Sequence, residues 1–286
     1  MRKQSACIAC YDSGGGTHDT TSSRCRDYSV TSIVRADIAR EVIIVQGDDA
    51  LTFLHSQLAN DVASLSVGAS IHSLLLEPTG HVAALVRVVR HEDTVFTLDV
   101  DAGFADAVIV RLQRFILRAK VTMHISDWVV RAFRGTDAVR EVGGGLGRAV
   151  PYWGSTEEID VVGDVLTLPT IGEATEPERV DYVRADARWP KLGVDILVGD
   201  IPGTTGVLSV AVSFTKGCYP GQELVERMDS RGTSAPVVLR ALSREGLGVG
   251  ARVMENDQSV GTVTSIGART ALARIARTST VGEPLV

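Results

Sequence analysis

The pattern of apolar and polar positions predicts a strand followed by a helix near the start of the ordered chain. The run REVIIVQG (40–47) has the continuous apolar character of a buried strand, and Gly47 ends it. Asp48 and Asp49 then offer an N-cap for the segment ALTFLHSQLANDV. Its leucines recur at helical spacing, at Leu51, Leu54 and Leu58. We therefore predict a helix directly after the first buried strand.

The next segments predict a hairpin and then a second strand–helix–strand unit. The stretch 70–90 indicates two strands around the turn Glu77-Pro78-Thr79-Gly80, where proline and glycine occupy favourable turn positions. Residues 94–100 predict a strand, 103–117 a helix and 120–127 a further strand. This order of strands and helices is typical of an α+β fold of the ferredoxin-like kind.

The second half of the chain changes character twice. The glycine-rich run 141–150 predicts a loop and a domain boundary, and short strands are indicated around 159–168. The segment 181–193 predicts a helix that ends near Pro190. After residue 236, short β-type runs between glycine and Asp/Asn turns indicate a small β-barrel.

These patterns predict four parts in the chain. They are a disordered N-terminal extension (1–30), a first α+β lobe (31–140), a second α+β lobe (141–235) and a small C-terminal β-barrel (236–286).

The N-terminal extension leaves one alternative open. Its stretch SGGGTHDTTSS (13–23) is too poor in apolar residues to offset the entropy of ordering it. A zinc site is the alternative, although a second paired ligand motif is missing from the spacing, and no metal is predicted. Its ligands would be Cys7, Cys10, His18 and Cys25.

Composition narrows the class of protein. The 286 residues are 44% hydrophobic and 22% charged, which is ordinary for a globular protein. The net charge of -6 argues against a nucleic-acid-binding module, which would need a basic face. Neither a membrane span nor an export signal is recognised, since the apolar stretch after Arg2 and Lys3 is too short. We expect a cytoplasmic protein.

The run KGCYPGQELVERM (216–228) carries the candidate chemistry. Pro220 suits the first turn of a helix, and the free N–H groups of that turn would lower the pKa of the Cys218 thiol. Glu223 and Arg227 have the spacing of an ion pair on one helix face. A plain glycine turn with a small buried cysteine explains the same residues, so the residue pattern alone leaves both interpretations open.

The run KGCYPGQE, followed by Arg227, resembles the signature of the YgfZ family. These are folate-binding proteins related to the aminomethyltransferase (T-protein) of glycine cleavage. The chain matches the pattern K-G-C-Y-x-G-Q-E-x-x-x-R at every position. Trp189 and Asp195 depart from the family, which usually has an aliphatic residue and a proline at these positions. Further resemblance lies in residues 45–62, 74–90, 114–121, 187–196 and 199–202.

The resemblance implies two α/β lobes and a small barrel around a central hole that takes tetrahydrofolate, with the first lobe binding folate. It implies a protein that assists iron–sulfur cluster assembly or repair in target enzymes, including tRNA-modifying ones. Its partners would be iron–sulfur enzymes or cluster-assembly proteins, with no direct nucleic acid and no membrane. The alternative is a folate-dependent aminomethyltransferase, so whether the chain is itself an enzyme stays open.

The resemblance also assigns candidate site residues. Asp61 aligns with the acidic residue that faces the reactive nitrogens of folate in the aminomethyltransferase relatives; an Asn-Asp pair that caps a turn is the alternative. Cys218 would meet a cluster or sulfur species, act as a redox-sensitive site, or only shape its loop. Asp61 and Cys218 are thus the predicted catalytic residues. The predicted cofactor-binding residues are Asp61, Lys216, Tyr219, Gln222, Glu223 and Arg227.

Overall fold

The computed structural model describes residues 32–143, 147–149, 157–231 and 235–285. The predicted extension 1–30 and its zinc alternative lie outside these residues. No helix among the described residues has the length and apolar character needed to cross a membrane.

Fifteen strands and six α-helices are formed by the described residues. The strands are β1 (Val34–Ile38), β2 (Arg40–Gln46), β3 (Ser70–Leu76), β4 (Val82–Arg90), β5 (Val95–Asp101), β6 (Thr122–Ser126), β7 (Val129–Arg134), β8 (Arg148–Ala149), β9 (Ile159–Gly163), β10 (Glu173–Ala174), β11 (Val237–Ser243), β12 (Arg252–Glu255), β13 (Gln258–Ile266), β14 (Thr270–Ala276) and β15 (Glu283–Pro284). The helices are α1 (Ala50–Gln57), α2 (Ala105–Gln113), α3 (Ala138–Val142), α4 (Pro177–Asp186), α5 (Leu208–Ala211) and α6 (Gln222–Arg231), with a 3₁₀ turn at Pro202–Thr204.

The first sheet contains the strands that the sequence predicted most directly. Its order is β3-β4-β5-β2-β6, with all neighbours antiparallel. The main hydrophobic core lies on this sheet and includes buried side chains of α1 and α2. The predicted strands in 40–47, 70–90, 94–100 and 120–127 are confirmed.

Both helices of this lobe end earlier than predicted. Helix α1 stops at Gln57 because Leu58 turns to extended backbone and bridges to Leu75 of β3. The predicted side-chain cap at its start is wrong: the Asp49 carboxylate accepts the backbone N–H of Lys120 at 2.8 Å instead. A contact between distant segments has thus replaced the local cap.

The second sheet has the order β10-β1-β7-β9-β8. Its strands β1 and β7 pair antiparallel and were not predicted. They precede the proposed boundary at residue 140, whereas β9 follows it and pairs with β7. The domain boundaries themselves stay a prediction.

The third sheet is built from the β-type runs after residue 236, in the order β12-β13-β14-β11-β15. Asn256 and Asp257 both have positive φ and turn β12 into β13, as a two-residue hairpin requires. Within the described residues no pairing joins β12 to β15, so the closed barrel is not confirmed. The mixed architecture of helices and several sheets is confirmed.

Candidate functional site

A cavity of about 460 Å³ lies where the three sheets approach one another. The first sheet contributes His72 and Arg87 to its lining, the second Arg134 and Asp160, and the third Ser265. Side chains of α4 and of the segment after it complete the wall. The cavity is therefore built from segments that are far apart in the sequence.

Paired charges form one side of this cavity. The Arg87 guanidinium contacts Asp99 on the neighbouring strand β5, with Nε 2.9 Å from Oδ2, and Asp160 on the second sheet, with Nη1 2.6 Å from Oδ2. Arg134 Nη1 lies 2.7 Å from the other oxygen of Asp160. Burial alone would raise the pKa of both aspartates, but the arginines outweigh it and hold each pKa below its ordinary value. The two sheets are thus joined by buried ion pairs.

His72 and Trp189 form an aromatic pair on the cavity wall. Their ring centroids are 4.4 Å apart, with the planes inclined by 52°. Burial, together with Arg87 and Arg40, lowers the pKa of His72 to about 3. The imidazole is therefore neutral at physiological pH.

Arg184 connects the two positions that depart from the YgfZ pattern. Its guanidinium donates to the carbonyl oxygen of Trp189 and, at 3.0 Å, to Asp195 Oδ2. The same carboxylate oxygen accepts the Ser265 hydroxyl at 2.9 Å, and Asp195 is fully buried. Trp189 and Asp195 therefore belong to one network that fastens the segment after α4 to the third sheet.

The KGCYPGQE loop lies against the end of α1, away from the lining of this cavity. The Lys216 ammonium donates to the carbonyl oxygen of His55 in the last turn of α1, and to those of Leu58 (2.7 Å) and Asn60 (3.2 Å) in the segment directly after the helix. Burial lowers the pKa of Lys216 to about 8, and Asp61 offsets part of that shift. Lys216 is thus a clamp between the loop and α1, and its predicted folate contact stays a prediction.

Asp61 sits beside this clamp in a turn. Its Oδ1 accepts the Ser64 N–H at 3.3 Å and lies 3.3 Å from His55 Nδ1. Burial would raise the pKa of Asp61, but hydrogen bonds from Ser64, together with His55, outweigh it and lower that pKa. The turn-capping interpretation describes this geometry, and Asp61 is absent from the lining of the 460 Å³ cavity. Its catalytic role stays a prediction.

The remaining motif residues lie around the start of α6, which begins at Gln222 rather than at Pro220. Gln222 Oε1 accepts the Tyr219 N–H at 3.3 Å, and Gln222 Nε2 donates to Glu226. Burial, followed by Glu226, raises the pKa of Tyr219 to about 12.

The exposed part of α6 and its preceding loop carry the other predicted residues. The predicted Glu223–Arg227 ion pair forms at 3.3 Å, and both side chains are exposed. Cys218 is exposed as well, in contrast to the buried cysteine of the plain-turn interpretation. The structure therefore presents a thiol to solvent at the motif, and its role stays a prediction.

Close packing explains one glycine of the motif. Gly221 has φ +85°, and a Cβ there would lie 2.6 Å from the Glu77 carbonyl oxygen and 2.8 Å from Gly80 Cα. The start of α6 therefore rests directly on the β3–β4 turn.

Sequence reasoning missed the cavity residues His72, Arg87, Asp160 and Trp189. A signal was present, because His72 and Arg87 are large polar residues within the mostly apolar strands β3 and β4. The predicted site residues instead gather in two neighbouring groups: Lys216 with Asp61, and Tyr219 with Gln222.

Comparisons with known proteins agree with the resemblance found in the motif. No family model matches the chain. It is 26% identical over 236 residues to an uncharacterized protein of Haemophilus influenzae, covering 79% of this chain and 81% of that protein. It is 24% identical over 216 residues to the tRNA-modifying protein YgfZ of Enterobacter, covering 66% of this chain and 65% of that protein. The chain thus spans slightly less than two thirds of that relative.

The aminomethyltransferase relationship is found in both sequence and fold. An aminomethyltransferase of Geobacillus is 22% identical over 269 residues, covering 78% of this chain and 71% of that protein. The crystal structure of the glycine cleavage system aminomethyltransferase T from Bartonella henselae matches with a TM-score of 0.71 and 19% identity, covering 87% of this chain and 80% of that one. The chain has the aminomethyltransferase fold, and its resemblance to the YgfZ proteins is confirmed.

Proposed function

We propose that this relative of the YgfZ proteins binds tetrahydrofolate in the cavity between its three sheets. In that state it assists the assembly or repair of iron–sulfur clusters in target enzymes, including enzymes that modify tRNA. Such a role implies a cytoplasmic protein. The observation that carries the proposal is the cavity itself, at the junction of the sheets in a fold that matches an aminomethyltransferase.

The size and lining of the cavity fit the proposed ligand. Its volume of about 460 Å³ falls within the ~300–1,000 Å³ that small-molecule sites usually occupy. Apolar side chains such as Val180 and Trp189 share the lining with carboxylates such as Asp101 and Asp181. A planar ring with a polar edge and an apolar face needs both kinds of contact.

The cluster-related part of the proposal rests on the motif and on the relatives. The curated relatives with the YgfZ name are described as tRNA-modifying proteins. In this chain, Cys218 of the shared motif is exposed, as a thiol that meets a partner or a sulfur species must be. We therefore propose that Cys218 acts outside the folate cavity, towards iron–sulfur enzymes or cluster-assembly proteins.

Calorimetric titration with tetrahydrofolate under anaerobic, reducing conditions tests the folate proposal. The intact protein is expected to bind one equivalent, and Cys218→Ala is expected to bind it equally well. Asp61→Ala distinguishes binding in the 460 Å³ cavity from binding beside the end of α1. Unchanged affinity for tetrahydrofolate agrees with the cavity, whereas a loss of affinity would indicate a site at the end of α1. A folded protein that takes up no tetrahydrofolate would refute the proposal.

The role of Cys218 has its own test. In cells that lack the native gene, the wild-type protein is expected to restore the tRNA nucleosides made by iron–sulfur enzymes, measured by mass spectrometry. Cys218→Ser is expected to fail while still binding tetrahydrofolate. Full restoration of these nucleosides by Cys218→Ser would show that the proposed function does not need the thiol.

Aminomethyl transfer is the second candidate, because the chain matches an aminomethyltransferase over most of its length. In that case Asp61 would exchange a proton with folate. The position of Asp61 in a turn outside the cavity lining favours the first candidate. Turnover of an aminomethyl donor that depends on tetrahydrofolate and disappears in Asp61→Asn would favour the second.

A further inference from the structure

Strand β6 is an open edge of the first sheet. It pairs with β2 along one side, and within the described residues no strand pairs with its other side. The opposite edge of the sheet, β3, is covered by the segment that follows α1. A bridge joins Leu58 to Leu75, and the Ala59 N–H donates to the Leu74 carbonyl oxygen at 3.0 Å. An open edge such as β6 instead presents backbone N–H and C=O groups with which another strand can pair.

The sequence of β6 does not protect this edge. The strand, TMHIS, contains no proline and no lysine, arginine, aspartate or glutamate, which are residues that commonly keep edge strands apart. Its pairing with β2 runs from Thr122 to Ser126 without a register shift, so no bulge turns the edge away. Ile125 is 42% exposed, although strand alternation puts it on the same face as Met123, which packs against the main hydrophobic core.

The sequence of β6 is complementary to itself when two copies run antiparallel. With His124 of each copy on a two-fold axis, Thr122 lies opposite Ser126, and Met123 lies opposite Ile125. Each of these pairs joins two hydroxyl side chains or two apolar side chains. Cross-strand pairs of like character stabilise a sheet, so a second copy of this chain suits the open edge.

Charged and apolar residues around β6 favour the same arrangement. Lys120 precedes the strand, where it contacts Asp48 at 3.2 Å, and Asp127 follows the strand; all three side chains are exposed. An antiparallel second copy therefore brings the cation of each chain towards the anion of the other. Helix α2 contacts β6, and Val110 of α2 and Leu117 after it are each more than half exposed. A two-fold axis through the sheet edge places these apolar side chains of both copies on one face of the joined sheet.

We propose that two copies of this chain associate through β6, antiparallel and centred on His124, so that their five-stranded first sheets join into one. None of the residues that line the 460 Å³ cavity, and none of the motif residues 216–228, belongs to β6. The contact is small beside the ~1,200–2,000 Å² of stable interfaces, so the dimer is reversible, with a dissociation constant on the order of micromolar.

Disulfide trapping in the full chain tests the register. The starting variant has serine in place of all four cysteines, which are Cys7, Cys10, Cys25 and Cys218. His124→Cys is expected to give a disulfide-linked dimer on mild oxidation, because residue 124 faces its own copy with Cα atoms ~4.5–5.5 Å apart. Thr122→Cys alone is expected to stay monomeric, because its two copies lie at least ~13 Å apart along the strands. A mixture of Thr122→Cys and Ser126→Cys is expected to crosslink.

Sedimentation velocity of the full chain, over a micromolar concentration series, measures the association without a crosslink. The wild type is expected to change from monomer to dimer as its concentration rises. Ile125→Lys places a charge on the edge and is expected to weaken the dimer at least ~tenfold. Leu166→Lys, at an exposed apolar residue outside β6, is the matched control and is expected to associate as the wild type does. Circular dichroism checks that each variant is folded.

Four results would overturn the proposal. The first is a wild type that stays monomeric throughout the series. The second is a dimer that Ile125→Lys leaves as strong as before, and the third is crosslinking of Thr122→Cys alone, since either places the contact elsewhere. The fourth is a folded His124→Cys monomer whose new thiol is protected from an alkylating reagent, because another part of the chain would then cover the edge.

Discussion

Replacing Asp160 by asparagine is expected to be far more destabilising than the same change at Asp37. Both aspartates lie in the second sheet and pair with arginines, but their surroundings differ. Asp160 is buried between Arg87 and Arg134, whereas the Asp37 side chain that pairs with Arg131 is 41% exposed. The two substitutions therefore change the same atoms at a buried and at an exposed ion pair.

The magnitude follows from burial. Asp160→Asn leaves two buried guanidinium groups without their shared negative charge, and removing one partner of a buried pair costs about 3–5 kcal/mol. Asp37→Asn removes a pair whose carboxylate is partly open to solvent, and solvent-exposed pairs contribute about 0–1 kcal/mol. We expect a difference of at least ~2 kcal/mol in the free energy of unfolding.

Urea denaturation followed by circular dichroism measures the free energy of unfolding of both variants. The unfolding midpoint is expected to shift while the slope of free energy against urea concentration stays constant. The pH dependence adds a second check. The pKa of Asp160 is lowered in the fold, so its contribution is fully present above its unfolded pKa of about 4 and is lost as the pH falls through its lower folded pKa. The difference in free energy of unfolding between the wild type and Asp160→Asn should therefore be constant from about pH 5 to 7 and become smaller below about pH 4. Equal losses for Asp160→Asn and Asp37→Asn would refute the reasoning.

Two further predictions concern the motif loop. Lys216→Met removes the donor that the carbonyl oxygens of His55, Leu58 and Asn60 share, and it is expected to cost about 2–3 kcal/mol. Lys120→Met, at an exposed ion pair, should cost less than ~1 kcal/mol. Equal unfolding midpoints for the two variants would contradict the role of Lys216 as a clamp. Gly221→Ala is expected to destabilise the protein by more than ~2 kcal/mol because its Cβ meets the backbone at Glu77, whereas Gly103→Ala, with a similar φ but open space, should cost only the ~1 kcal/mol of the left-handed conformation. Thermal unfolding measures the loss of stability in both glycine variants. A loss for Gly221→Ala no larger than that for Gly103→Ala would show that the start of α6 is not closely packed on the β3–β4 turn.

Local patterns predicted the first sheet well because its strands are nearly continuous apolar runs. They failed for β1 (VRADI) and β7 (VVRAFR), where charged residues interrupt the pattern. These strands gain stability from pairing with each other across about a hundred residues. Sequence periodicity contains no information on such a partner.

The candidate site likewise has one part that the sequence predicted, the motif, and one part that it did not, the cavity. The motif was recognisable because its residues are consecutive, and its contacts with α1 and the β3–β4 turn are now explained. The cavity brings together His72, Asp160 and Trp189 from three distant segments. No local spacing connects those residues, so only the folded chain identifies them.

The central claim, that tetrahydrofolate binds in the cavity between the sheets, is tested most directly by obstructing its rim. Val249 lines the cavity yet is 65% exposed, so a larger side chain there should be tolerated by the fold. Met254 is a comparably exposed residue outside the lining. In calorimetric titrations, Val249→Trp is expected to weaken tetrahydrofolate binding at least tenfold and Met254→Trp to leave it unchanged. Equal, undiminished affinity in both folded variants would contradict the claim.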